Sequence, residues 1–167
     1  MMEQTEGITS SVRSEIIIDR PVKAVWAAVF EFPNWAPTVA KAELICGGWD
    51  VEGCVMLLTK HEWVGLQPFF SELIRAVPFH QQVYHNRTRN GNQLNGFVDL
   101  TFNEERGGTR VIYTNYLTLR FPAPAKTYAT PEGAMVRRSD LQSEKAAQKM
   151  IEIYLEPLKR YAEGASA

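Results

Sequence analysis

Side chains able to move a proton or hold a metal are few in this chain and widely spaced. There are three histidines, His61, His80 and His85, and two cysteines, Cys46 and Cys54. A histidine beside a carboxylate in a pocket would suit cofactor-free proton exchange, as in a cyclisation, dehydration or isomerisation, and would keep a buried carboxylate from standing unpaired. His61 and Glu72 are the candidates for that catalytic pair. The alternative is that Glu72 is hydrated at an open sheet end and His61 is a satisfied wall residue. A metal site built from His61, Glu72 and His85 has no HxH or HExxH spacing behind it, and the cysteines are not in a CxxC arrangement, so no metal is expected. No GxSxG elbow, Gly-rich phosphate loop or dinucleotide fingerprint occurs, and no cofactor is expected. Cys46 and Cys54 read as two small buried hydrophobes rather than a disulfide.

The elements that must position these groups are legible in outline. Ile16, Ile17 and Ile18 make residues 12–19 a strand. Pro21 stops it, and Val22, Val25, Trp26 and Val29 recur at helical spacing up to Pro33. Residues 34–39 form a second short helix or a turn. From about 40 to 120, turn signals (Gly47-Gly48-Trp49-Asp50, Gly65 to Pro68, Val77-Pro78, Asn90-Gly91, Gly107-Gly108) divide the chain into six strands. Turns that short force antiparallel neighbours, which makes a meander. Residues 121–138, with Pro122, Pro124, Pro131 and Gly133, read as an irregular loop that is either a lid or a simple connection. Ser139 and Gln142 have capping-box spacing, and a stripe including Met150, Tyr154 and Leu158 continues the helix that follows. Pro157 should bend it.

Period-two alternation then assigns faces. Val111, Tyr113, Asn115, Leu117 and Leu119 point inward, and opposite residues of an antiparallel pair share a face. Carried across the turns, this puts Val98, Leu100 and Phe102 inside, then Tyr84, Asn86 and Thr88, then Phe70, Glu72, Ile74 and Ala76. On the next strand it puts Leu57, Thr59, His61 and Trp63 inside, with Lys60 and Glu62 outside. The expected wall is apolar with one polar strip. Thr59, Trp63, Tyr84, Asn86, Tyr113, Asn115, Met150 and Tyr154 are the expected ligand-binding residues.

Composition removes other classes. Lys plus Arg (18) balances Asp plus Glu (19), so no global field favours nucleic acid. No apolar run is long enough for a membrane span, and the polar residues 1–11 lack the features of an export signal. The expectation is a cytoplasmic protein: a disordered segment over 1–11, then one domain over 12–164. Its oligomeric state cannot be read from the chain.

The order strand, two short helices, six-strand meander, long C-terminal helix resembles the START/Bet v 1-like (SRPBCC) superfamily, in particular its polyketide cyclase/dehydrase and lipid-transport branch. The matching residues are Ile16-Ile17-Ile18-Asp19-Arg20-Pro21-Val22-Lys23-Ala24-Val25-Trp26, Phe32-Pro33-Asn34-Trp35-Ala36-Pro37, Gly53, and Gly108-Thr109-Arg110-Val111. The resemblance implies an α+β helix-grip fold: a seven-stranded curved antiparallel sheet around a long C-terminal helix, with two short helices after strand 1. It also implies a cavity for a small hydrophobic or aromatic molecule. With that cavity goes either cyclisation or dehydration of the molecule or, alternatively, non-catalytic carriage of a lipid, quinone or similar metabolite. The matching residues set turns and strand entries, and none is catalytic.

Overall fold

The computed structural model describes residues 6–62, 66–91, 93–121, 127–129, 135–137 and 145–164. Strand β1 (Glu6–Ile18) is followed by helices α1 (Val22–Val29) and α2 (Phe32–Trp35). Six strands come next: β2 (Val39–Cys46), β3 (Val55–Lys60), β4 (Phe69–Val77), β5 (Gln81–Thr88), β6 (Leu94–Glu105) and β7 (Gly108–Phe121). The sheet order is β1-β7-β6-β5-β4-β3-β2, all antiparallel, so the meander is closed off by β1 returning to pair with β7. The C-terminal helix lies against the inner face. It consists of α3 (Ala146–Met150), a π-helical turn (Ile151–Leu155) and α4 (Glu156–Ala162).

Several expectations are corrected. Residues 6–11, expected to be disordered, belong to β1 and pair as far as Glu6 with Phe121. Residues 127–129 and 135–137, expected to be irregular, form a separate small hairpin, β8 (Thr127–Ala129) with β9 (Met135–Arg137). Pro33 does not end α1. It lies in the first turn of α2, where its missing N–H is harmless. Cys46 is exposed while Cys54 is buried, and both are free thiols. The Ser139–Gln142 capping box falls outside the described residues.

Where a bend is expected at Pro157, the helix has a π-helical turn over Ile151–Leu155, directly before the segment that carries Pro157. Proline removes the donor that the Ile153 carbonyl would receive in an α-helix, and its ring crowds that carbonyl. Opening the turn relieves both.

Gly96 shapes the sheet. Its φ of +155° suits glycine, and a Cβ there would lie 2.0 Å from the Tyr116 carbonyl oxygen on β7. A side chain is therefore excluded at the inner-face position between Asn86 and Leu117, which leaves space against the wall. The core on either side of that space is apolar: Trp26 of α1 packs edge-on against Phe102 at 5.4 Å, and Leu155 and Leu158 of the C-terminal helix are almost fully buried. No helix of the described residues is long and apolar enough to cross a membrane.

Candidate functional site

A cavity of about 150 Å³ lies between the inner face of the sheet, α2 and the π-helical turn. That is room for roughly one aromatic ring, below the 300–1,000 Å³ usual for ligand pockets. Phe32 and Trp35 of α2 form one side, Leu58, Phe69, Leu94, Val98 and Leu100 the sheet wall, and Tyr154, Leu155 and Leu158 the helix side. The π-helical turn carries Tyr154, whose ring stacks on Tyr113 of β7 at 5.8 Å with planes 16° apart.

Four expected binding residues line the cavity: Tyr84, Asn86, Tyr113 and Tyr154. Asn115 is buried on the same face but lies behind Tyr113, donating to its hydroxyl at 3.4 Å. Met150 is a core residue of α3 that does not reach the cavity. Trp63 lies outside the described residues.

Thr59, His61 and Glu72 are not where face tracing puts them. Thr59 pairs with Lys41, next to the cavity-lining Lys60, and does not line the cavity. His61 follows β3, is exposed, and donates its backbone N–H to the Thr38 carbonyl at 3.1 Å. Glu72 lies between Val55 and His85, on the outer face. The two are not brought together, and neither lines the cavity. The physical cause is a bulge in β4: Leu73 opposes Tyr84, yet Arg75 opposes Val83, so one extra residue sits between them. Ala76, opposite Gln82, keeps its expected inward direction. Beyond the bulge every direction inverts: Phe69, Ser71 and Leu73 face inward instead of Phe70, Glu72 and Ile74. The inversion passes to β3 through Leu58 opposite Phe69 and Met56 opposite Ser71.

That inversion brings in a residue missed from sequence. Lys60 lines the cavity as its sole charged residue among those described. Its Nζ donates to Thr38 Oγ1 at 2.6 Å and lies 5.5 Å and 5.7 Å from the ring centroids of Phe69 and Tyr154. These rings give the ammonium favourable cation–π contacts where it is half-buried. An inward lysine has no local sequence signature. Only the bulge, which also has none, would have pointed to it.

The other polar groups are neutral. Burial pushes the Tyr113 phenol well above the ordinary tyrosine range, the neighbouring Tyr154 adds to this, and the hydrogen bond from Asn115 partly opposes it. Burial likewise pushes Tyr84 far up, with a lesser contribution from Cys54, and Tyr84 donates to Gln82 Oε1 at 2.7 Å. Both phenols are therefore donors rather than phenolates. Asn86 Oδ1 is buried in the wall without a hydrogen-bond partner. An orphaned buried acceptor costs about 1–3 kcal/mol, which a ligand donor would remove.

No protein-family model matches the chain, and no curated protein matches it by sequence. Solved structures do match by shape. A putative uncharacterized protein from Rhizobium leguminosarum superposes with a TM-score of 0.62 at 14% identity, covering 95% of this chain and 97% of its own. Ara h 8.0201 gives 0.57 at 14% identity, over 95% and 99%. DynU16, described as a putative protein in the dynemicin biosynthetic locus, gives 0.58 at 16% identity, over 92% of this chain and 47% of its own. At such identities the likeness concerns the fold alone.

Proposed function

We propose, on the premise that this chain has the START/Bet v 1-like helix-grip fold, that it binds a small, mainly apolar molecule of about ring size in the cavity under its C-terminal helix. The observation that carries this reading is the apolar cavity with Asn86 Oδ1 left unpaired in its wall. Apolar walls supply the driving force, and a few placed polar groups orient the guest. Non-catalytic carriage fits the geometry best, because His61 and Glu72 do not meet and the buried phenols of Tyr84 and Tyr113 stay protonated.

A cyclase- or dehydratase-like activity is the second reading. It is favoured by one arrangement: a cation at Lys60 and the neutral donor Tyr113 face one space, where a developing enolate would be stabilised. That activity would use no His–Glu pair.

The test is binding of a neutral aromatic probe, cinnamamide, by calorimetry, beside native mass spectrometry of the purified protein for a retained small molecule. The variant Val98→Phe, which fills the cavity from β6, should lower cinnamamide affinity at least about tenfold while the chain stays folded. Unchanged affinity in that variant, with no retained molecule, would place binding elsewhere and sink the reading.

A further inference from the structure

We infer that the cavity takes small organic acids: a flat apolar body under the helix, with an anionic oxygen group (a carboxylate, or an ionised phenol or enol) held by Lys60. The inference rests on the ligand-binding reading and names the chemical class of its ligand.

Lys60 is the last residue of β3, two residues on from the inward Leu58, so its side chain follows the cavity wall. An ammonium has three donors, and one is occupied by Thr38 Oγ1. The flanking faces of Phe69 and Tyr154 hold the ammonium by cation–π contact and contribute no hydrogen-bond acceptor. Three other lysines of the described residues sit beside carboxylates: Lys41 lies 2.8 Å from Glu43, Lys149 3.1 Å from Glu152 and Lys159 3.7 Å from Glu163. No carboxylate among the described residues pairs with Lys60. A half-buried cation with two aromatic walls, at a cavity whose other described lining groups are neutral, is complementary to an anion on an aromatic or unsaturated body. The orphaned Asn86 Oδ1, farther along the same face, adds an acceptor for a hydroxyl or amide N–H at the other end of such a molecule.

Cinnamate and cinnamamide share shape and differ in charge, so the pair isolates the Lys60 contribution. At neutral pH the unaltered protein should bind cinnamate at least about tenfold more tightly than cinnamamide, the size of a charge-assisted hydrogen bond in a partly dry site. Lys60→Met, which keeps the stem and removes the charge, should abolish that preference, weakening cinnamate at least about tenfold more than cinnamamide. Lys60→Arg should keep the preference, and melting curves report that both variants fold. Equal affinity of the unaltered protein for the two probes overturns the inference, as does a preference that survives Lys60→Met. Either result leaves the cavity reading intact provided Val98→Phe still weakens cinnamamide. Failure of both probes to bind the unaltered protein removes the inference and the binding reading together. If Lys60→Met fails to fold, Lys60→Gln takes its place, and a preference that survives it overturns the inference in the same way.

Discussion

The two faces of the sheet carry similar chemistry to opposite ends. Each has a stacked pair of rings: Tyr113 on Tyr154 inside, and His85 on Phe97 outside at 4.8 Å. Each also has a lysine near the same edge. On the inner face Tyr113 is buried and its ionisation suppressed, Tyr154 is half-buried, and Lys60 lies near two aromatic rings with no carboxylate partner among the described residues. On the outer face Phe97 and Tyr116 are largely exposed, His85 is hydrogen-bonded to Asn95 at 3.0 Å, and Lys41 is matched with Glu43. Water decides the difference. Solvent screens and competes for the outer pairs, whereas the enclosed inner groups keep their electrostatic strength. Residue type therefore says little about function here until the face is known.

The largest expected contrast between the faces is in packing. Phe102→Ala, on the inner face at 1% exposure, should lower unfolding stability by about 3–5 kcal/mol, as cavity-forming core truncations do. Phe97→Ala, on the outer face at 43% exposure, should cost about 1 kcal/mol or less, since only part of its ring leaves contact. Denaturant titration of both variants checks the pair, and comparable losses would dissolve the distinction.

A smaller effect should appear at alkaline pH. Burial first, then Tyr154, raises the Tyr113 pKa in the folded chain above its unfolded value near 10, so the native state holds a proton that the unfolded state releases. Stability from this source is complete below about pH 10 and falls as pH rises beyond it toward the folded value. Tyr113→Phe should flatten the alkaline loss, seen as a weaker pH dependence of the urea midpoint.

The smallest effect is reserved for the outer lysine. Lys41→Met should change stability by less than about 0.5 kcal/mol, because exposed ion pairs contribute little. It should also leave the cinnamate-to-cinnamamide ratio untouched, in contrast with Lys60→Met.

Most of the fold was readable from local patterns. The alternation of Val111, Tyr113 and Asn115, the turn signal at Gly107-Gly108 (the turn itself falls one residue earlier, at Arg106-Gly107) and the helical spacing of Val22, Val25, Trp26 and Val29 each have a local cause, and each element formed. Tyr84, Asn86 and Tyr113 reached the cavity because β5, β6 and β7 are joined without register shifts, so parity carried from one strand to the next. His61, Glu72 and Thr59 failed because the bulge between Leu73 and Arg75 lies between them and that reference. A bulge adds one residue with no compositional signal of its own. Period-two alternation read over a short, partly polar strand cannot detect it.

The sequence by itself determined the element order, the antiparallel meander and the apolar stripe of the C-terminal helix, because turns, β-branched runs and helical periodicity act over a few residues. Only the tertiary structure decided which ionisable group enters the cavity. That choice depends on inter-strand register, summed over two hairpins and one bulge, and it exchanged the anticipated His61 and Glu72 for Lys60. The space that Lys60 faces also depends on long-range contact: Gly96 must pass close to Tyr116, and the π-helical turn must carry Tyr154 over Tyr113. Such contacts join residues far apart in the chain, where no local pattern can specify them.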